Sequence, residues 1–221
     1  MSSPRMTGTS YAVLGLLAVQ PWSTYELTRQ MERSLGRIWP RAQSRLYEEP
    51  KKLVALGFAT AEDDIVGRRP RTIYAITDAG RAALARWLRE PGAGPVLEFE
   101  QLVKLGFADH GTKDDALRTI AAAHSWAEQR NVENLAAAEQ YAQGQGLFQY
   151  RAAHTMLAGA FFTEFYAMVA RWADWAAEQV QTWPENPADA VADPAELAAI
   201  ARRAAWTPRD VAQPGHEADA D

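Results

Sequence analysis

The chain has 221 residues, 48% of them hydrophobic, which is enough apolar material for one compact domain and a second helical one. It contains no cysteine, excluding a disulfide framework or a thiolate metal site, and no run of eighteen apolar residues that would span a bilayer. The net charge of −5 is unevenly spread: residues 1–90 carry 14 Lys/Arg against 9 Asp/Glu, whereas residues 91–221 carry 9 against 19. That asymmetry suits a protein in which one part meets phosphate and the other stays off it.

Residues 1–9 hold no apolar stretch leading to a cleavage site, so a cytoplasmic address is expected. The run Tyr11 to Val19, YAVLGLLAV, is rich in helix formers and follows two possible caps, Thr9 and Ser10; it predicts a short buried helix. A second helix is predicted over Tyr25 to Ser34, capped by Ser23 or Thr24, with Leu27 and Met31 inward and Glu26, Arg29, Gln30 and Arg33 outward. A third runs from about Arg41 to Leu56, with Leu46, Leu53 and Leu56 inward and Gly57 ending it. Pro50 falls inside this third helix, so either the helix bends there or it starts later, near Glu49.

Phe58 to Glu62 and the alternating Thr72 to Thr77 predict two strands, separated by the polar pair Asp63-Asp64 and by a stretch carrying Arg68, Arg69 and Arg71. Thr77 or Asp78 caps a further helix through Arg81 to Leu88, and the Gly/Pro punctuation at 91–95 marks a boundary. Helix, helix, helix, basic hairpin, helix is the order of a winged helix-turn-helix with one additional helix. The expected fold is therefore mainly α: a winged helix-turn-helix DNA-binding domain over 1–90, then an α-helical dimerisation domain over 95–183. In the latter, helices are predicted over Leu97 to Phe107, Lys113 to about Tyr141 and Phe148 to Trp183. The last two form an antiparallel hairpin about Gly144 to Gly146, and a kink is allowed at Gly159. Residues 184–221 read as a Pro/Ala-rich tail, with one short helix from Ala195 to Trp206 and the rest expected to be disordered.

A helix N-terminus and cations engage phosphate, while side-chain donors read base edges. Arg41, Gln43, Ser44, Arg45, Tyr47, Lys51 and Lys52 supply such groups around the third helix, with Gln43 and Ser44 best placed for bases. Arg45 and Lys52, seven residues apart, are expected on one face. Arg68, Arg69 and Arg71 form a second basic cluster where a wing should be, and Tyr25 can donate to phosphate at the start of the second helix. The partner these residues imply is double-stranded DNA, with nucleoid association of the bound protein.

No Ser/His/Asp or Cys/His set and no phosphate-cradling glycine pattern is present, so catalysis is not expected. The four histidines are scattered, His124 and His154 have no i,i+4 carboxylate or imidazole partner resembling a zinc motif, and neither metal nor cofactor is implied.

The stretches YAVLGLLAVQPWSTYELTRQM, SRLYEEPKKLVALGFAT and GRRPRTIYAITDAGRAAL resemble the opening helices, the recognition helix and the wing of the PadR family of bacterial transcriptional regulators. The family commonly has leucine where this chain has Pro50. The general shape of residues 95–183 resembles the longer C-terminal helical region of one branch of that family. The resemblance implies dimers on near-palindromic operators, usually repressing, some released by a phenolic or drug-like compound.

In the helical region, Leu157, Phe161 and Phe165 line one face of the last long helix, and Phe162, Tyr166 and Val169 an adjacent one. This stripe is too broad for a single neighbouring helix, so a homodimer interface is expected in addition to the internal helical hairpin. A small aromatic effector would find a pocket at Trp126, Trp172 or Trp175, while Trp22 and Trp39 are expected to pack about the first two helices. The competing reading is a winged-helix adaptor that binds protein or ligand and no longer reads DNA.

Overall fold

The computed structural model describes residues 5–39, 43–66 and 69–205, with the backbone alone at 43–45, 65–66 and 69–70. It divides into two compact units, Met1–Pro95 and Val96–Asp221.

The first unit is built around α1 (Gly8–Val19), which buries Val13, Leu14, Leu16 and Leu17. This helix begins earlier than expected, because Thr7 rather than Thr9 or Ser10 is its cap. The Thr7 hydroxyl accepts from the Ser10 amide at 3.2 Å, and the Ser10 hydroxyl accepts from the Thr7 amide at 3.0 Å. A two-residue strand, β1 (Trp22–Ser23), leads into α2 (Thr24–Ser34), whose N-cap is Ser23. Gln30 is buried rather than outward, since it shares the Leu27–Met31 face at helical spacing. Trp22 donates its indole N–H to the Leu16 carbonyl at 2.9 Å and Trp39 donates to the Thr9 hydroxyl at 3.1 Å, so both tryptophans pack about the early helices.

Helix α3 (Gln43–Ala55) runs unbroken through Pro50, whose ring is fully buried; the helix does not start later to avoid it. Gly57, at φ +73°, ends the helix in the left-handed conformation that favours glycine. Then come β2 (Ala59–Val66), β3 (Arg69–Ile76) and α4 (Asp78–Trp87), the last capped by Thr77. The strand order is β1-β3-β2, all antiparallel. Asp63 and Asp64 are strand residues, not a connecting turn, because each finds a partner on the opposite rung. Thr72 donates to Asp63 at 3.2 Å and Arg71 to Asp64 at 2.8 Å. α4 lies hard against the hairpin: a Cβ at Gly80 would sit 2.2 Å from the Phe58 carbonyl, which already accepts from the Thr77 amide. The core joins Leu14, Leu17, Leu27, Met31, Leu46, Leu53 and Tyr74, and each large side chain so buried is worth about 1.5–3 kcal/mol.

The second unit contains α5 (Glu100–Leu105), α6 (Lys113–Ala142), α7 (Ala152–Gln181) and α8 (Pro194–Ala204). Leu97 to Phe99 precede α5 rather than belonging to it, and α7 is a single assigned helix through Gly159. α6 buries Ala116, Ile120, Ala123, Ala127 and Asn134, and α7 buries Phe162, Tyr166, Val169, Ala173, Ala176 and Val180. Such alternating steps of three and four are those of a coiled-coil seam. The pair is antiparallel. At one end Lys113 donates to the carbonyls of Gln181 and Trp183 at 2.8 and 2.9 Å, and farther along Asn134 donates to Thr163 at 2.9 Å.

His124 does have a carboxylate four residues on. Its Nδ1 lies 3.5 Å from Glu128, and its Nε2 lies 3.4 Å from Asp174 of α7. The two carboxylates address opposite ring nitrogens and do not converge as metal ligands would; among the described residues no such group is arranged to hold a metal ion. No helix among them is long and apolar enough to cross a membrane.

Candidate nucleic-acid interface

The packing of α2 on α3 through Leu27, Met31, Leu46 and Leu53 leaves the opposite side of α3 to solvent. Tyr47 and Lys51, one turn apart, are exposed there, and Lys51 pairs with Glu48 at 2.9 Å in the open. An exposed pair of this kind is worth little, so Lys51 can exchange it for phosphate at small cost. Gln43 is the first residue of α3 and Ser44 the second; the side chains of Gln43, Ser44 and Arg45, like Arg41 as a whole, lie outside the described residues. At the wing, Arg68 lies outside them as well. Arg69 opens β3, opposite Val66, with only its backbone described.

Two cations assigned to DNA from sequence are paired within the unit. Lys52 is turned inward, its side chain 21% exposed; it donates to the Ser10 hydroxyl at 2.8 Å and pairs with Glu49 at 3.4 Å. The expected shared face with Arg45 misleads for a simple reason. Lys52 stands beside Leu53, which is wholly buried, and a long side chain there can lie along the apolar surface and place its ammonium on the α1 hydroxyl. Arg71 is held between Asp64 at 2.8 Å and Glu26 at 3.4 Å. The Ser23 hydroxyl, then the Ser23 amide, and beyond them the Arg71 charge hold the Glu26 carboxyl below the usual carboxylate range.

On α2, Tyr25 is exposed and the Arg29 guanidinium lies 5.8 Å from its ring centroid, within cation–π range. Arg29 was read from sequence only as an outward residue. The i,i+4 spacing from Tyr25 is the signal that joins the two into one exposed basic and aromatic group.

In the second unit, Phe162, Tyr166 and Val169 are buried against α6 within a single chain, so that much of the expected dimer stripe is already used. Leu157 and Phe161 remain 68% and 56% exposed, and Phe161 stacks on half-buried Phe165 with centroids 6.1 Å apart. The three candidate effector tryptophans fall in two places. Trp126 meets Phe165 and Tyr166 edge-on, whereas Trp172 meets Phe99 and Trp175 lies between Glu196 and Arg203 of α8. A groove of about 510 Å³ beside α5 and α6 is lined by Lys104, Phe107, Arg118 and Thr119 among others, and by none of these tryptophans.

Residues 13–86 match the transcriptional regulator PadR-like family. Over 79 residues the chain is 38% identical to the negative transcriptional regulator PadR of Bacillus subtilis, covering 35% of this chain and 43% of that protein. Over 82 residues it is 37% identical to a probable transcriptional regulator of Mycobacterium tuberculosis, covering 37% and 43% respectively. The match thus spans less than half the length of either curated relative. In fold, the chain is similar to Bacillus subtilis PadR solved in complex with operator DNA, with a TM-score of 0.69 at 23% identity over 77% of this chain and 98% of that one. The same protein solved with p-coumaric acid gives 0.62 at 21% identity, over 78% and 98%. The family match falls on the helices and hairpin just described, so residues 13–86 are similar to the PadR-like family of transcriptional regulators.

Proposed function

We propose that the chain is a homodimeric, sequence-specific double-stranded DNA-binding regulator, acting by binding rather than catalysis, in the cytoplasm and on the nucleoid, and most simply as a repressor. The observation that carries this reading is the exposed Tyr47–Lys51 face of α3, set in the same compact unit as the β2–β3 hairpin. Gln43, Ser44 and Arg45 at the front of α3 would reach base edges; Tyr47, Lys51, Tyr25, Arg29, Arg41, Arg68 and Arg69 would contact the backbone. Lys52 and Arg71 are assigned structural work.

Residues 1–90 form the DNA-binding domain in this reading and 95–183 the dimerisation domain, with Leu157, Phe161 and Phe165 facing the second copy. Two-fold symmetry would set the two recognition helices roughly 34–36 Å apart, one turn of duplex. The relative solved with operator DNA supports an operator-DNA target, and its complex with p-coumaric acid supports a small aromatic effector. Such an effector would act only by favouring one disposition of the DNA-binding domains.

Selection of bound fragments from random duplex DNA, repeated at rising salt, tests the reading. A split palindrome with steep salt dependence is the expected result. Enrichment of no sequence, together with salt-insensitive capture of a protein partner, would favour an adaptor, a reading to which the internal commitment of Lys52 and Arg71 lends some weight.

A further inference from the structure

Glu26 divides its two carboxylate oxygens between two elements. Oε2 accepts from the Ser23 amide at 2.9 Å and the Ser23 hydroxyl at 2.6 Å, closing the cap of α2. Oε1 faces the Arg71 guanidinium at 3.4 Å, and that same guanidinium donates through Nε to Asp64 on the facing strand. Ser23 is also the register partner of Ile73 in β3. The start of α2 and both hairpin strands are thereby joined through one charged chain.

The place of that chain along the hairpin matters. β1 pairs only with Ile73 and Tyr74, so among the described residues the rungs from Asp63–Thr72 outward to Val66–Arg69 have no third strand. A two-stranded ribbon of this kind is weakly held by itself and twists freely. Arg71 lies in that outer part, and Glu26 grips it from α2.

We propose that Glu26 is a positioning residue for the wing. By holding Arg71 it sets the angle at which the outer hairpin, from the Asp63–Thr72 rung to the Val66–Arg69 rung, is presented to duplex DNA, and it does so without touching the DNA. The proposal rests on the DNA-binding reading above. Its sign separates it from plain electrostatics: removing a carboxylate from a DNA-facing domain, and freeing an arginine, should tighten binding if charge alone mattered.

The test is Glu26→Gln in the full chain, since glutamine at this position still closes a capping box. Anisotropy titration of a selected duplex at fixed salt should show affinity three- to tenfold weaker, with helix content and unfolding midpoint near those of the parent. Amide exchange across residues 59–76, measured without DNA, should quicken several-fold in the outer rungs. Equal or tighter DNA binding by the variant overturns the proposal, and so does unchanged exchange. A parent protein that binds no duplex would sink the DNA reading instead, and the exchange measurement would then still decide whether Glu26 holds the wing.

Discussion

The Lys52 ammonium lies 2.8 Å from the hydroxyl of Ser10, a wholly buried residue of α1, and so ties α3 to the first turn of the unit's central helix. A charge-assisted hydrogen bond of this kind contributes about 1.5–3 kcal/mol, and truncating it also leaves the largely buried Glu49 without its partner. Lys52→Ala should therefore lower unfolding free energy by about 2 kcal/mol in urea denaturation while leaving the salt slope of DNA binding unchanged. Lys51→Ala, one residue away and exposed, should do the reverse: near-parental stability, and a slope smaller by about one for one lost phosphate contact. Exchanged phenotypes would show that the inward lysine has been misassigned.

Pro50 poses the opposite kind of question, because its fully buried ring sits in the interior of α3 where it cannot donate to the Leu46 carbonyl. Proline costs about 3 kcal/mol against alanine at such a position. Losing two ring carbons from the core costs about 0.8 kcal/mol each, plus a term for the space left behind. Pro50→Ala should accordingly stabilise the protein by about 1 kcal/mol. A variant less stable than the parent would mean that the ring packs better than its backbone costs.

These two residues also mark how far the sequence could be read. The winged-helix order, the caps at Ser23 and Thr77 and the left-handed Gly57 are local signals, and local chemistry decided them. Asp63 and Asp64 looked like a turn, since only their cross-strand partners Thr72 and Arg71 make them strand residues. The two-residue β1 has no period to detect. Lys52, Arg71 and Phe162 have partners within the chain that the sequence did not reveal, for a shared reason: helical spacing and composition say which residues are charged or apolar, whereas the partner each one meets comes from a distant part of the chain.

The Ser23–Glu26 cap carries a pH signature whose sign is fixed by its chemistry. Hydrogen bonds from Ser23 lower the folded-state value of Glu26 below that of the unfolded chain. The unfolded state then binds more protons in mild acid, so the stabilisation is complete above the ordinary glutamate value of about 4.3 and is lost as pH falls through the lower, folded value. Ser23→Ala should cost about 1 kcal/mol at neutral pH as a lost cap. It should also flatten the decline of urea midpoints between about pH 5 and pH 3, since the gap between the two states narrows. Midpoint curves for parent and variant that run parallel through that range would remove Glu26 as a source of the acid sensitivity.

Phe161 and Phe162 are neighbours with opposite surroundings: Phe162 is buried, stacked on Tyr166 in the α6–α7 seam, while Phe161 is more than half exposed and lies one turn from exposed Leu157. If the second copy covers the Leu157–Phe161 face, Phe161→Glu sets a charge into an apolar contact and should give a monomer in size-exclusion chromatography with light scattering. Helix content should stay near that of the parent, because the stacking of Phe161 on Phe165 is lost while the buried seam residues Phe162, Tyr166 and Val169 are kept. The same variant should bind a full palindrome no better than a half-site, since two half-sites are no longer tethered to each other. Phe162→Ala should instead cost about 3–5 kcal/mol of stability by opening a cavity in the seam. A Phe161→Glu protein that stays dimeric at micromolar concentration would move the interface elsewhere on the helical unit, and with it the spacing of the two recognition helices on the operator.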